Sequence, residues 1–141
     1  MAEREGVEAY ILTGDRDSLQ LISDTTKVLL AKTKETVTFD RAVFNEIYGV
    51  EPESFVDVKA LMGDSSDNIP GVPGIGEKTA LKLISEFGGI DSLYEKLDGS
   101  GLSASMKQKL GDGKEMAYLS RTLARINRDV PVELLLEDCA Y

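Results

Sequence analysis

Two pairs of aspartates carry the first chemical signal in this chain. Asp15 and Asp17 are separated by one residue in LTGDRDSLQ, and Asp64 and Asp67 by two serines in GDSSDNIP. Aspartates clustered on loops, without histidine or cysteine, suit hard divalent cations such as Mg²⁺ or Mn²⁺, which prefer oxygen donors. Little else in the chain offers catalysis. It has no histidine and one cysteine, Cys139, which excludes Ser–His catalysis, His/Cys zinc sites and an internal disulfide. Neither pair fits a calcium loop, because the central glycine and the closing glutamate are missing. Helix capping is the alternative role for each pair. The four carboxylates are expected to converge on one cleft, where mutual repulsion should raise the pKa of at least one of them.

The second signal is GVPGIGEKTA, Gly71 to Ala80, which has the glycines, lysine and threonine of a phosphate-binding loop. A Walker loop places Lys directly after its last glycine and follows a buried strand. Here Glu77 follows Gly76, Lys78 is displaced by one, and the preceding DSSDNIP is polar and turn-forming. The dinucleotide fingerprint fails as well, since Thr79 stands where its third glycine belongs. What is left is a hairpin between two helices. Pro70 and Pro73 stiffen it, while Gly71, Gly74 and Gly76 permit conformations and close approaches that a Cβ would block. The following helix starts with N–H groups that lack intrahelical partners, and its dipole favours an anion. Gly74, Ile75, Gly76, Lys78, Thr79 and Lys82 therefore form a candidate set for holding a nucleic-acid backbone without reading its sequence. A turn that merely joins two helices is the competing explanation.

Charge supports such a division of labour. The net charge of −9 opposes nucleic-acid binding on average, but residues 101–128 hold 6 basic and 2 acidic side chains. An acidic first half followed by a basic helical segment fits a protein that gathers cations in one place and phosphates in another; solvated helix faces would also account for it. With 42% hydrophobic and 29% charged residues the chain has the composition of a globular protein. Its apolar runs, such as Val28 to Ala31, are too short to span a membrane, and MAEREGVEAY has no signal core, so a cytoplasmic location is expected.

Periodicity supplies the elements that must hold these groups. AYILTG reads as a buried strand ended by Gly14, and DSLQLI as a short helix capped by Asp15 or Asp17. KVLLA and TVTF read as paired strands. Asp40 caps RAVFNEIYG, whose Ala42, Val43, Phe44 and Ile47 recur at helical spacing, and Gly49 ends it. Pro52 opens PESFVDVKALMG, an amphipathic helix closed by Gly63. Helices follow over EKTALKLISEFG and IDSLYEKL, then two between Ser103 and Ile126 split near Gly111 to Gly113. The tail PVELLL has the composition of a closing strand.

YILTGDRDSLQLIS and KALMGDSSDNIPGVPGIGEKTALKLISEFG together resemble the 5′–3′ exonuclease domain of bacterial DNA polymerase I, a branch of the flap endonuclease (FEN-like) superfamily. The resemblance runs from about Gly6 through PVEL. It implies an α/β fold: a partial PIN/FEN-like sheet region over 1–49, then a helical DNA-binding region over 50–128. That second region would hold a helix–three-turn–helix motif with its hairpin at 68–76, followed by a tail at 129–141. It also implies that Asp15, Asp17, Asp64 and Asp67 are catalytic metal ligands for Mg²⁺ or Mn²⁺, that K⁺ sits in the hairpin, and that the partner is duplex or flapped DNA. Polymerase domains in the parent protein are a further implied partner. Family members begin with another sheet-and-helix segment bearing an early Asp, a basic arch and a Glu-Ala-Asp-Asp-type motif, none of which occurs here. The chain is thus expected to be the C-terminal half of the nuclease domain, inactive alone, with an uncovered sheet edge. Asp-x-Asp after a strand also resembles haloacid-dehalogenase phosphatases, but Leu19 occupies a position where they carry Thr or Val. Two other functions stay open, a non-catalytic DNA-binding module and a metal-dependent phosphatase of small molecules.

Overall fold

A computed structural model describes residues 2–139. After a short helix α1 (Ala2–Glu5) the chain lays down β1 (Ala9–Thr13), a 3-10 segment (Arg16–Leu21), β2 (Thr26–Ala31) and β3 (Thr36–Phe39). The sheet order is β1-β2-β3. β1 runs parallel to β2, with Ile11 opposite Val28, and β3 returns antiparallel, with Phe39 opposite Val28. Val28, Leu30 and Phe39 point into the core from this sheet.

β1 departs from the buried strand expected of AYILTG. It forms one edge of the sheet, and Tyr10 and Leu12 are 55% and 70% exposed, so its outer face is uncovered among the described residues. An apolar run does not distinguish a strand covered on both faces from an edge strand awaiting a neighbour.

The next elements follow their local signals closely. Asp40 caps α2 (Arg41–Tyr48) by accepting from the Val43 N–H at 2.9 Å, and Gly49 ends it in the left-handed region at φ 67°. Only part of its expected apolar face is used: Phe44 is buried, while Ala42 and Ile47 face solvent. Phe44 meets Phe55 edge-to-face at 5.3 Å, tying α2 to the following helix. A 3-10 turn (Pro52–Ser54) leads into α3 (Phe55–Met62). α3 is not the amphipathic helix expected: Phe55, Val56, Val58, Lys59, Ala60 and Leu61 are all buried. It is the central helix, packed against α4 (Glu77–Phe87) and α7 (Lys114–Ala124), and a helix covered from several sides is apolar nearly all round.

α5 (Ile90–Glu95) and α6 (Ala104–Asp112) complete the helical layer, which shares one core with the sheet from Val28 and Phe39 through to Leu110 and Ala117. α7 is fastened at two points. Gln20, buried in the 3-10 segment, donates to the Ala124 carbonyl at 2.9 Å, and the buried Ser120 hydroxyl accepts from the Gly71 N–H at 2.9 Å. Among the described residues the tail forms no closing strand. Val130, Val132, Leu134, Leu135 and Leu136 are exposed, and Leu136–Cys139 is a 3-10 turn. A strand needs a neighbour for its N–H and C=O groups, and among the described residues the Val132 N–H bonds back to the Val130 carbonyl. No helix among the described residues is long and apolar enough to cross a membrane.

Candidate active site

The sheet ends and the turn after α3 meet at a cleft of about 350 Å³ lined by Gly14, Asp15, Arg16, Asp17, Lys59, Asp64, Ser66 and Asp67. Both aspartate pairs therefore reach the same place. They do so in different ways. Asp17, Asp64 and Asp67 each bring a carboxylate oxygen to within 4.8 Å of the others. Asp15 lines the cleft but is not in that cluster; its Oδ1 accepts from the Asp17 N–H at 2.9 Å and caps the 3-10 segment. Asp64 is aimed by a tight loop. Gly63 ends α3 at φ 72°, Asp64 and Ile69 exchange two main-chain hydrogen bonds at 2.9 and 2.8 Å, and Asn68 takes a positive φ of 57° to close the turn.

The group that sequence reasoning missed is Lys59. It is only 3% exposed, yet its ammonium donates to Asp17 Oδ1 and, at 2.8 Å, to Asp64 Oδ2. A buried ammonium is costly unless paired, and here it has two carboxylate partners. Its signal was a lysine set among the apolar residues of FVDVKALM. The expectation of a raised carboxyl pKa is reversed at Asp64. The Lys59 ammonium, helped by the Ser66 hydroxyl, holds the Asp64 carboxyl well below the usual carboxylate range. Lys59 thus supplies the positive charge that the repulsion argument left out.

The donor set fits a hard divalent cation: three converging carboxylates, no nitrogen or sulfur ligand, and an ammonium already drawn to the same oxygens. Across the mouth of the cleft, the half-exposed Arg16 donates from Nη2 to the Tyr48 hydroxyl at 3.3 Å and to Glu77 Oε1 at 3.0 Å. Glu77 is the first residue of α4, so this arginine joins the cleft to the hairpin helix.

The hairpin is a main-chain construction. Gly71 has φ +64°, and a Cβ there would stand 2.3 Å from the Gly63 nitrogen, so the two glycines meet back to back. Val72 donates to the Leu61 carbonyl at 2.7 Å and Ile75 to the Val72 carbonyl at 3.1 Å. Ile75 is buried and its N–H is spent within the turn, so it anchors the hairpin and offers no outward side chain. Gly74 has φ +80° and lies beside the Lys109 side chain of α6. Gly76 departs from expectation: its φ is −94° and open space surrounds the place of a Cβ. It caps α4 without a side-chain hydrogen bond, and the first helical bond runs from the Ala80 N–H to the Gly76 carbonyl. The N–H groups of Glu77, Lys78 and Thr79 precede that bond, with Lys78 and Lys82 exposed and Thr79 half-buried beside them.

The basic segment is partly consumed within the fold. Arg121 pairs with Asp91 at 2.8 Å, Lys107 donates to the Asp98 carbonyl at 2.7 Å, and Arg128 donates to the Gln20 carbonyl. Away from the cleft, Asp57 of α3 accepts from the Ile90 N–H at 3.2 Å, while its Oδ1 accepts no hydrogen bond among the described residues and lies 3.8 Å from Arg121 Nη1; burial pushes its carboxyl pKa up.

A family model described as 5′–3′ exonuclease, C-terminal SAM fold, matches residues 50–141. The DNA polymerase I of Bacillus caldotenax is 47% identical over 144 residues, covering 99% of this chain and 16% of the relative. The chain thus spans about one-sixth of the length of the curated relatives it matches. Among solved structures, a mutant bacteriophage T5 5′-exonuclease matches with TM-score 0.70 and 28% identity, over 83% of this chain and 47% of that one. A T5 flap endonuclease pseudo-enzyme–product complex with DNA and metal ions matches with TM-score 0.72 and 25% identity, over 87% and 44% of the two chains.

Proposed function

The chain belongs to the 5′–3′ exonuclease family, and from that premise we propose that it is the DNA-gripping part of a metal-dependent 5′ nuclease domain of the DNA polymerase I type. On this reading it binds duplex or flapped DNA in the bacterial cytoplasm, contributes Asp15, Asp17, Asp64 and Asp67 to a two-metal site, and serves replication and repair next to polymerase domains. The observation that supports it best is the meeting of Asp17, Asp64 and Asp67 in one cleft beside the open N-terminus of α4.

The residues divide the work. Gly71 and Gly74 shape a hairpin of the helix–three-turn–helix type, which would hold K⁺, and the N–H groups that open α4 meet a phosphate. Lys78, Thr79 and Lys82 add donors that hold the backbone without reading bases. Asp17, Asp64 and Asp67 would hold Mg²⁺ or Mn²⁺, with Asp15 orienting the loop that carries Asp17. When bound, such ions polarise the phosphodiester and offset the charge that develops on it during hydrolysis. Lys59 keeps Asp17 and Asp64 together, and Asp64 ionised, until a cation shares them. The remaining carboxylates of a two-metal site are proposed to come from residues equivalent to the other half of the T5 chain, so the 141 residues alone should bind DNA without cleaving it.

A fluorescent flapped duplex tests the binding half. Affinity should be weak, indifferent to sequence, and fall by roughly 0.9 log unit per log unit of salt for each phosphate neutralised. Lys78→Ala should weaken all sequences alike and reduce that slope by about one phosphate. Joining the N-terminal half of a relative to the chain tests cleavage, which Asp64→Asn should abolish while sparing binding. Robust metal-dependent cleavage by the 141-residue chain alone would relocate the active site.

A further inference from the structure

We propose that Arg16 contacts a phosphate of the bound strand between the hairpin and the cleft, and so sets which phosphodiester lies opposite the carboxylates. This rests on the reading of the chain as a DNA-gripping part of a 5′ nuclease.

Arg16 stands between Asp15 and Asp17 and lines the cleft, yet its guanidinium reaches Glu77 at the start of α4, an element far along the chain. It is therefore the side chain that spans the gap between the two functional regions. Both of its contacts, to Tyr48 and Glu77, use Nη2. Nε and Nη1 have no hydrogen-bond partner among the described residues, which leaves their N–H groups, on different edges of the guanidinium, for another ligand. Either nitrogen can give a phosphate oxygen a charge-assisted hydrogen bond while Nη2 stays on Glu77 and Tyr48, a division that the single nitrogen of a lysine does not reproduce. The other cation of the cleft, Lys59, is buried and spent on Asp17 and Asp64. Arg16 is thus the cleft's exposed cation with donors to spare.

Glu77 explains why the guanidinium is held ready. A carboxylate in the first turn of α4 orients the arginine and is itself neutralised, so it does not repel the phosphate arriving at the same helix end. As an exposed ion pair it adds little to the stability of the fold, which gives packing no strong claim on this pair. A strand gripped by Lys78 and Thr79 then meets Arg16 before it meets Asp17 and Asp64, and the reach of one arginine fixes the register.

The test is a phosphate-by-phosphate binding map at low salt. Single methylphosphonates neutralise each position of a flapped duplex in turn, and the 141-residue chain is compared with Arg16→Ala, Arg16→Lys and Glu77→Gln. Wild type should show two groups of sensitive phosphates, one at the hairpin and one displaced toward the flap junction. At the displaced group, neutralisation should weaken wild type by about 5–10-fold and Arg16→Ala less than about twofold, with hairpin sensitivity unchanged in both. Arg16→Lys should keep part of the effect, and Glu77→Gln should blur it over adjacent phosphates. If Arg16→Ala keeps the full wild-type map, or wild type shows the hairpin group alone, the inference is overturned and Arg16 is a strut between loop and helix. If wild type shows no sensitivity to any phosphate, the DNA-gripping reading falls and this inference with it. Should Arg16→Ala lose its thermal transition, Arg16→Lys carries the comparison, and a map identical to wild type there, together with an unblurred map for Glu77→Gln, overturns the proposal.

Discussion

In the carboxylate cleft the functional atoms are side-chain oxygens of Asp17, Asp64 and Asp67, gathered from two loops and balanced by the buried Lys59. In the hairpin a few residues away, they are main-chain groups, placed by what Gly63 and Gly71 lack rather than by what any side chain brings. The first region is held by charge, the second by close packing of backbone. Substitutions should therefore separate them: the hairpin is sensitive to a single methyl group, and the cleft to a single charge.

Gly71→Ala should have the largest effect. A Cβ at 2.3 Å from the Gly63 nitrogen, on backbone at φ +64°, forces Gly63 and the Asp64 loop apart. Steric overpacking and backbone strain together should cost about 3–5 kcal/mol in denaturant unfolding, with loss of DNA binding. Gly76→Ala is the control, since open space and φ −94° predict a change within about 0.5 kcal/mol. Equal stability of the two variants would remove the packing argument.

Lys59→Met should follow in size. It leaves Asp17 and Asp64 facing each other without their buried counter-charge, at a cost of about 2–4 kcal/mol near neutral pH. Mn²⁺ should restore more stability to this variant than it adds to wild type, by RT ln(1 + [Mn²⁺]/Kd), because the ion no longer competes with an ammonium. An identical response to Mn²⁺ in both proteins would show that Lys59 and the cation use different oxygens.

The smallest effects are those of pH, and two aspartates should move in opposite senses. Asp64 has a folded pKa below its unfolded value, so its contribution is complete above the unfolded pKa, near 3.8, and is lost as pH falls through the folded one. Asp57 has a folded pKa raised by burial, so its contribution is complete below the unfolded pKa and is lost as pH rises through the folded one. Asp64→Asn should flatten the acid limb of the stability profile, and Asp57→Asn should flatten a decline at higher pH. Carboxyl NMR titrations showing Asp64 above Asp57 would contradict the pairing of Lys59 with the cleft.

Much of this was legible in the chain before any fold was known, and for one reason. Caps, left-handed glycines and helical periodicity act within a few residues. Asp40 and Gly49 bound α2, Gly63 ends α3, Gly88 ends α4, and the break at Gly111 to Gly113 divides α6 from α7. The aspartate pairs and the GVPGIGEKT string likewise named their own chemistry through residue type and spacing. Tertiary structure decided what depends on partners distant along the chain. It put α3 at the centre and so buried Lys59 against Asp17, which reversed the electrostatics expected of Asp64. It set Gly71 against Gly63 while leaving Gly76 in the open. It brought Arg16 to Glu77, exposed the outer face of β1, and left the apolar tail without a strand to join. Backbone preference is local and can be read locally; burial and charge compensation are sums over neighbours that only the fold assembles.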